Sequence, residues 1–166
     1  MQELQQHRQW MNYALNLAQE AGEQGEVPVG AVVVDAQNQL IARASNRKER
    51  DRDPTAHAEV LALRDAGRLL NRWHLQGCRL YVTLEPCPMC AGAIVQSRIS
   101  QLIYGADDPK TGAIRTVVNL PNSRVSNHTP QVIGGILEQS CRQQLHHWFA
   151  QRRPPKPSVQ TAQQTG

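Results

Sequence analysis

The chain opens with apolar residues recurring at helical spacing. Over 4–21, Trp10, Ala14, Leu17, Ala18 and Ala21 fall on one stripe, and Gly22 and Gly25 close the segment. The pattern then changes period. Val29 to Val34 is an unbroken apolar run, Asp35 to Gln39 is turn material, and Leu40 to Ala44 is a second strand, so the pair reads as a hairpin. Ser45 to Thr55 is a polar loop carrying Arg47, Lys48, Arg50 and Arg52. Asp53-Pro54-Thr55 has helix-start chemistry, and the helix it predicts runs to about Leu70 with Val60, Leu61, Leu63 and Leu69 toward the core.

Asn71 to Gly77 is a connection. Arg79 to Leu84 reads as a third strand, Pro88 to Ser97 as a helix and Gln101 to Gly105 as a fourth strand. Strand, helix, strand in that order implies parallel pairing with a right-handed crossover, hence an α/β fold. Residues 106–130 are poorly periodic and read as loop with a short helix or strand. Ile133 closes a short strand. Gly134 to Arg153 reads as a final amphipathic helix with Leu137, Cys141, Leu145, Trp148 and Phe149 along one face. The organisation expected is one domain over 1–153 and a disordered tail over 154–166, whose residues have almost nothing to bury.

Composition narrows the classes. A chain of 166 residues can bury roughly two-thirds of its unfolded surface in one core. A net charge of +4 and a pI near 9.1 permit a polyanionic partner without demanding one. One Phe, three Tyr and three Trp are too few for a single-strand binder built on stacking platforms. Four cysteines, Cys78, Cys87, Cys90 and Cys141, make no disulfide framework in a chain this size. There is no N-terminal apolar signal region, and no apolar run nears the roughly 20 residues of a membrane span. The expectation is a soluble cytoplasmic protein.

The chemistry concentrates in Leu84-Glu85-Pro86-Cys87-Pro88-Met89-Cys90. Two cysteines three apart at a helix start share one face, where backbone N–H groups and the helix dipole favour thiolates. Upstream, Thr55-Ala56-His57-Ala58-Glu59 offers an imidazole and a carboxylate. Two thiolates and an imidazole suit tetrahedral zinc and leave a fourth position for water, the mark of a catalytic site. Residues two apart on a helix point roughly 200° apart. His57 and Glu59 can therefore address one ion only from beyond the helix N-terminus, which places the site between two helix N-termini.

Each element alone has a plainer reading. A lone C-x-x-C fits a redox pair, a structural zinc or chance, and a structural zinc would need Cys78, His74 or His128 as its fourth ligand. His57 and Glu59 taken singly read as surface residues. Cys78 and Cys141 read as small buried hydrophobes, and the arginines of 47–52 as a solvated loop or as a nucleic-acid contact. The combination of H-A-E, a strand and P-C-x-x-C favours the catalytic zinc.

That combination resembles the zinc-dependent nucleobase deaminases of the cytidine/deoxycytidylate deaminase superfamily. Longer blocks are similar to the bacterial tRNA-specific adenosine deaminases: Glu26 to Ala31, Asn46-Arg47, Asp53 to Glu59, Tyr81 to Cys87 and Tyr104 to Gly112. The resemblance implies a three-layer α/β/α cytidine-deaminase-like fold with a five-stranded mixed sheet, and a homodimer. It implies hydrolytic conversion of the wobble adenosine of an arginine tRNA to inosine, by zinc-hydroxide attack at C6 with Glu59 as proton shuttle. By resemblance, His57, Cys87 and Cys90 hold one zinc per chain. Asn46 hydrogen-bonds the flipped base, and Pro28, Val29 and Leu84 line its pocket. Asp107, Lys110, Asn127, His128, Phe149 and Arg152 contact the anticodon stem-loop. One segment departs from the family: Ile114-Arg115-Thr116 stands where small residues are common, in a loop that lies near the RNA in the family. The alternatives are a zinc deaminase of guanine, cytosine or a nucleotide, and a non-catalytic zinc module that binds RNA.

Overall fold

A computed structural model describes residues 1–154. Ten elements follow one another: α1 (Gln2–Glu23), β1 (Gly30–Val34), β2 (Leu40–Ser45), α2 (Lys48–Asp51), α3 (Ala58–Leu69), β3 (Arg79–Leu84), α4 (Pro88–Gln96), β4 (Gln101–Ala106), β5 (Gln131–Ile133) and α5 (Glu138–Ala150). The five strands form one sheet in the order β2-β1-β3-β4-β5. β1 pairs antiparallel with both β2 and β3, whereas β3 with β4 and β4 with β5 are parallel. The sheet is therefore mixed, and β3 and β4 pair in parallel around α4 as the strand–helix–strand order requires.

Alternation along the strands builds two cores. Ala31, Val33, Leu80, Val82, Leu102 and Tyr104 face one side and pack with Ala62 and Ala66 of α3 and Ala91 and Ile94 of α4. Val32, Val34, Tyr81 and Ile103 face the other and pack with Met11 and Ala14 of α1 and Cys141 of α5. Central strands buried on both faces read as continuous apolar runs, which is why Val29 to Val34 carries no polar residue. The result is three layers, α/β/α. Small residues let the layers close. A Cβ on Gly30 would lie 2.0 Å from the Ala14 carbonyl oxygen, so α1 reaches β1 only because that position has no side chain.

Several boundaries differ from the sequence reading. Asp53-Pro54-Thr55 does not begin α3: the Asp53 carboxylate accepts from the Thr55 N–H and hydroxyl at 2.8 and 2.7 Å, closing a turn ahead of it. The 45–55 loop contains the short helix α2, held from outside by Glu26, whose buried carboxylate accepts from the N–H groups of Glu49 and Arg50. α5 starts at Glu138 and not at Gly134, because Gly135 and Leu137 both have positive φ. Leu69, placed toward the core by spacing, is 69% exposed at the last residue of α3. No helix or strand occurs between β4 and β5. The tail expected over 154–166 lies, beyond residue 154, outside the described residues.

Candidate active site

The site sits at the end of the sheet where β3 delivers the chain to α4. His57 is the N-cap of α3 and Cys87 the N-cap of α4, both in extended backbone conformation, with Pro88 opening α4. A proline there gives up an N–H that has no helical partner anyway. From these two caps the side chains converge. His57 Nδ1 lies 3.6 Å from Cys87 Sγ and 3.4 Å from Cys90 Sγ. The three ligand atoms all fall within 4.8 Å of one another. A tetrahedral zinc with ordinary bond lengths holds its sulfur and nitrogen ligands about 3.5 Å apart, so the spacing matches the edges of such a centre. Among the described residues this triad is the one close group of metal-binding side chains, and Cys78, His74 and His128 are not part of it. Cys78 and Cys141 are buried, as expected of small hydrophobes.

The electrostatics fit a cation. Hydrogen bonding from the Cys90 thiol, against burial and with help from His57, pulls Cys87 down to about 4. The same thiol–thiol bond, with burial, pushes Cys90 up. His57 is raised by its hydrogen bond to Cys87. Two sulfurs and a nitrogen thus compete for few protons at one point, the arrangement a soft divalent ion relieves.

Glu59 lies in the first turn of α3, 4% exposed. Burial raises its carboxyl to about 7, with Cys87 adding to the rise and its own backbone N–H, His57 and the Cys90 thiol opposing it. Asn46 approaches the same helix end. Its Oδ1 accepts the Ala58 N–H at 2.9 Å, its Nδ2 donates to the Val27 carbonyl at 3.1 Å, and its own N–H bonds to the Val29 carbonyl at 3.1 Å. Pro28 and Val29 are buried beside it and Leu84 is half-buried at the end of β3.

The remaining expected contacts divide into groups. Asp107 accepts from the Tyr104 hydroxyl at 2.9 Å and pairs with Arg115 at 3.0 Å. Lys110 is exposed in the loop that follows β4. The Arg152 guanidinium stacks on Trp148, 3.9 Å from the ring centroid, and Phe149 packs edge-on against the same ring. That stack belongs near Pro28, since a Cβ on Gly22 would touch both Trp148, at 3.1 Å, and Pro28, at 3.3 Å. Asn127 and His128 are elsewhere. The Asn127 carbonyl accepts from Arg98 and His128 Nε2 lies 2.7 Å from the Ile99 carbonyl. Both are thus fastened where β4 begins, at the opposite end of the sheet from Cys87.

Two carboxylates that the sequence reading passed over organise the surroundings. Glu26 fixes the basic 47–52 segment. Glu85, 1% exposed, gathers hydrogen bonds from the 108–116 loop. An acidic residue between an apolar strand and Pro86-Cys87 was the available signal.

A family model for MafB19-like deaminases matches residues 5–143. The tRNA-specific adenosine deaminase of Bacillus subtilis is 45% identical over 147 residues, covering 89% of this chain and 91% of the relative. The chain belongs to the tRNA-specific adenosine deaminase family. A solved structure from work on A-to-I editing by transfer-RNA deaminases at the wobble position superposes on this deaminase with a TM-score of 0.80 at 44% identity. It covers 82% of this chain and 98% of that one. A guanine deaminase from Nitrosomonas europaea superposes at 0.72 with 27% identity, covering 86% and 84%. The three layers and mixed sheet of this deaminase are those of its structural neighbours.

Proposed function

We propose that this deaminase converts the wobble adenosine of a transfer-RNA anticodon loop, an arginine tRNA by resemblance, to inosine. In this reading it acts as a cytoplasmic homodimer with one zinc per chain. The observation that carries the proposal is the convergence of His57, Cys87 and Cys90 at tetrahedral spacing with a buried carboxyl of raised pKa beside them. Among the described residues no helix is long and apolar enough to cross a membrane.

His57, Cys87 and Cys90 hold the zinc, which when bound supplies a Lewis acid that acidifies water near neutral pH. Glu59, buried beside the triad with its carboxyl raised by desolvation, is the group placed to exchange protons in both directions. It takes the two protons of the attacking water in turn, passing the first to N1 of the adenine ring and the second to the C6 amine, which departs as ammonia while the water oxygen becomes the C6 carbonyl. Pro28, Val29 and Leu84 wall the base from solvent. The second hydrogen of the Asn46 amide is available to the base edge, its first being given to Val27. Outside the pocket, Lys110 and Arg152 lie along the RNA backbone, with Asp107 and Phe149 beside them, and each neutralised phosphate adds affinity that salt removes. Asn127 and His128 contact the stem-loop only where the RNA reaches the far end of the sheet.

Inosine mapping tests the substrate. Purified protein is incubated with an arginine-tRNA anticodon stem-loop, free adenosine, guanine and cytosine at two salt concentrations. Inosine forms in the stem-loop alone, and binding weakens as salt rises. The similarity to a guanine deaminase favours a second reading, a free-base deaminase. Faster ammonia release from guanine than from the stem-loop would establish that reading and overturn the RNA assignment.

A further inference from the structure

We propose that Glu85 is a positioning residue for the polynucleotide: its buried carboxylate holds the 107–116 loop against the metal-bearing turn, as one wall of the substrate cleft. This rests on the reading of the site as an RNA deaminase. Glu85 ends its approach at the strand terminus, where its backbone N–H bonds to the Ala106 carbonyl at 2.8 Å. Oε2 accepts from the Asp108 N–H at 3.0 Å and from the Thr116 hydroxyl. Oε1 accepts from the N–H groups of Ile114, Arg115 and Thr116 at 3.3, 2.8 and 2.9 Å. Next to it, the Pro86 carbonyl accepts the Ala113 N–H at 2.9 Å. The residue after Pro86 is Cys87, so the same three-residue turn fixes a metal ligand on one side and a loop on the other.

A carboxylate is the side chain this job needs. Only an acceptor-only group with two oxygens can take four amides and a hydroxyl at once. An isolated buried charge is strongly disfavoured, and no Lys or Arg pairs with Glu85 among the described residues. The converging N–H dipoles are what stabilise it. The loop has been fitted around it. A Cβ on Gly112 would lie 2.3 Å from Glu85 Oε2 and 2.6 Å from the Asp108 carbonyl. The departure at Ile114-Arg115-Thr116 is accommodated by the same device, because the contacts use backbone atoms and the Thr116 hydroxyl. What the loop then presents outward is Lys110 and Thr111, both exposed, and the Arg115–Asp107 pair.

The test compares wild type with Glu85→Gln and Thr116→Val as zinc-loaded full chains. In Glu85→Gln the amide NH₂ meets N–H donors that a carboxylate oxygen accepted; Thr116→Val removes one hydroxyl and nothing else of size. Hydrogen exchange of the 108–117 amides should speed up about tenfold in Glu85→Gln, and less in Thr116→Val, with α1 and β1 unchanged. KM for the anticodon stem-loop should rise about tenfold while kcat stays within about threefold and zinc content holds. If Glu85→Gln does not yield folded protein, the Thr116→Val shifts in exchange and KM decide alone. Unchanged exchange and KM overturn the proposal. So does a loss of zinc and kcat in parallel with unaltered KM, which would make Glu85 a support for Cys87 only. A wild type that does not deaminate the stem-loop overturns the RNA reading, whereas the exchange measurement still reports whether Glu85 holds the loop.

Discussion

Asn46 caps the helix that carries His57: its side-chain oxygen accepts the backbone N–H of Ala58, the first residue of α3, at 2.9 Å. The residue that the resemblance assigns to the base is thus also a structural tie between the end of β2 and the turn that carries His57. Read from sequence as a substrate contact alone, Asn46 could be truncated without effect on melting. The structure revises that. Asn46→Ala should cost about 1 kcal/mol, as loss of a helix cap does, and lower Tm by roughly 2–4 °C, besides slowing deamination. Asn46→Asp keeps the acceptor for Ala58 but sets a carboxylate oxygen against the Val27 carbonyl to which Nδ2 donates at 3.1 Å, so it should also melt below wild type, and it should turn over slowly. Thermal melts with single-turnover kinetics check both, and a normal rate in Asn46→Asp would remove the amide donor from the reaction.

Cys87→Ser and Cys90→Ser should each lose zinc. The two sulfurs lie 3.6 and 3.4 Å from the same imidazole nitrogen, and a hydroxyl is not a soft ligand. Elemental analysis of the purified variants reads this directly, and full zinc retention in either would remove that sulfur from the ligand set.

Glu59→Ala should keep zinc and fold but lose turnover by roughly 10²–10⁴-fold or more, since one group serves both proton steps. Chelation of wild type should abolish activity equally, with zinc restoring it; the Glu59 variant is not restored. Activity within a few-fold of wild type would place the proton shuttle on another residue.

His7 offers a test of pH dependence away from the site. It is buried under β3, with Nδ1 2.9 Å from the hydroxyl of fully buried Tyr81. Burial lowers its pKa below the ordinary 6.5, Glu3 opposes and Arg79 assists. A depressed histidine pKa means that the unfolded chain takes up a proton before the folded one does. Stability contributed by neutral His7 is therefore present at neutral pH and falls as pH drops below about 6.5. His7→Gln, which retains an acceptor for Tyr81 and cannot titrate in this range, should lose less stability between neutral and mildly acidic pH. Denaturant melts across that range check it, and parallel curves would exclude His7 as the source.

The legibility of the fold tracks the origin of each signal. β1, β3, α4 and β4 are patterned by burial on the sheet, so apolar runs and period changes located them. The triad was legible because ligand chemistry restricts residue type and spacing together. What escaped was fixed from a distance. α2 exists because Glu26 caps it from outside, and the true cap of α3 comes from Asn46 and not from the local Asp53. The start of α5 depends on positive φ at Leu137, which no pattern of leucines announces. Asn127 and His128, stem-loop contacts by family resemblance, are tied through Arg98 and Ile99 to the start of β4, which their sequence neighbours do not announce.

The strand order carries a consequence for how the protein is made. After the first hairpin, β3, β4 and β5 join the sheet one after another along a single edge. No strand has to be threaded between two that are already paired. During vectorial synthesis the sheet can therefore widen in the order in which it leaves the ribosome. Every ligand of the triad has emerged by Cys90, before β4, β5 and α5 exist. A metal taken up by the triad would thereby have its full ligand set before the outer layer closes.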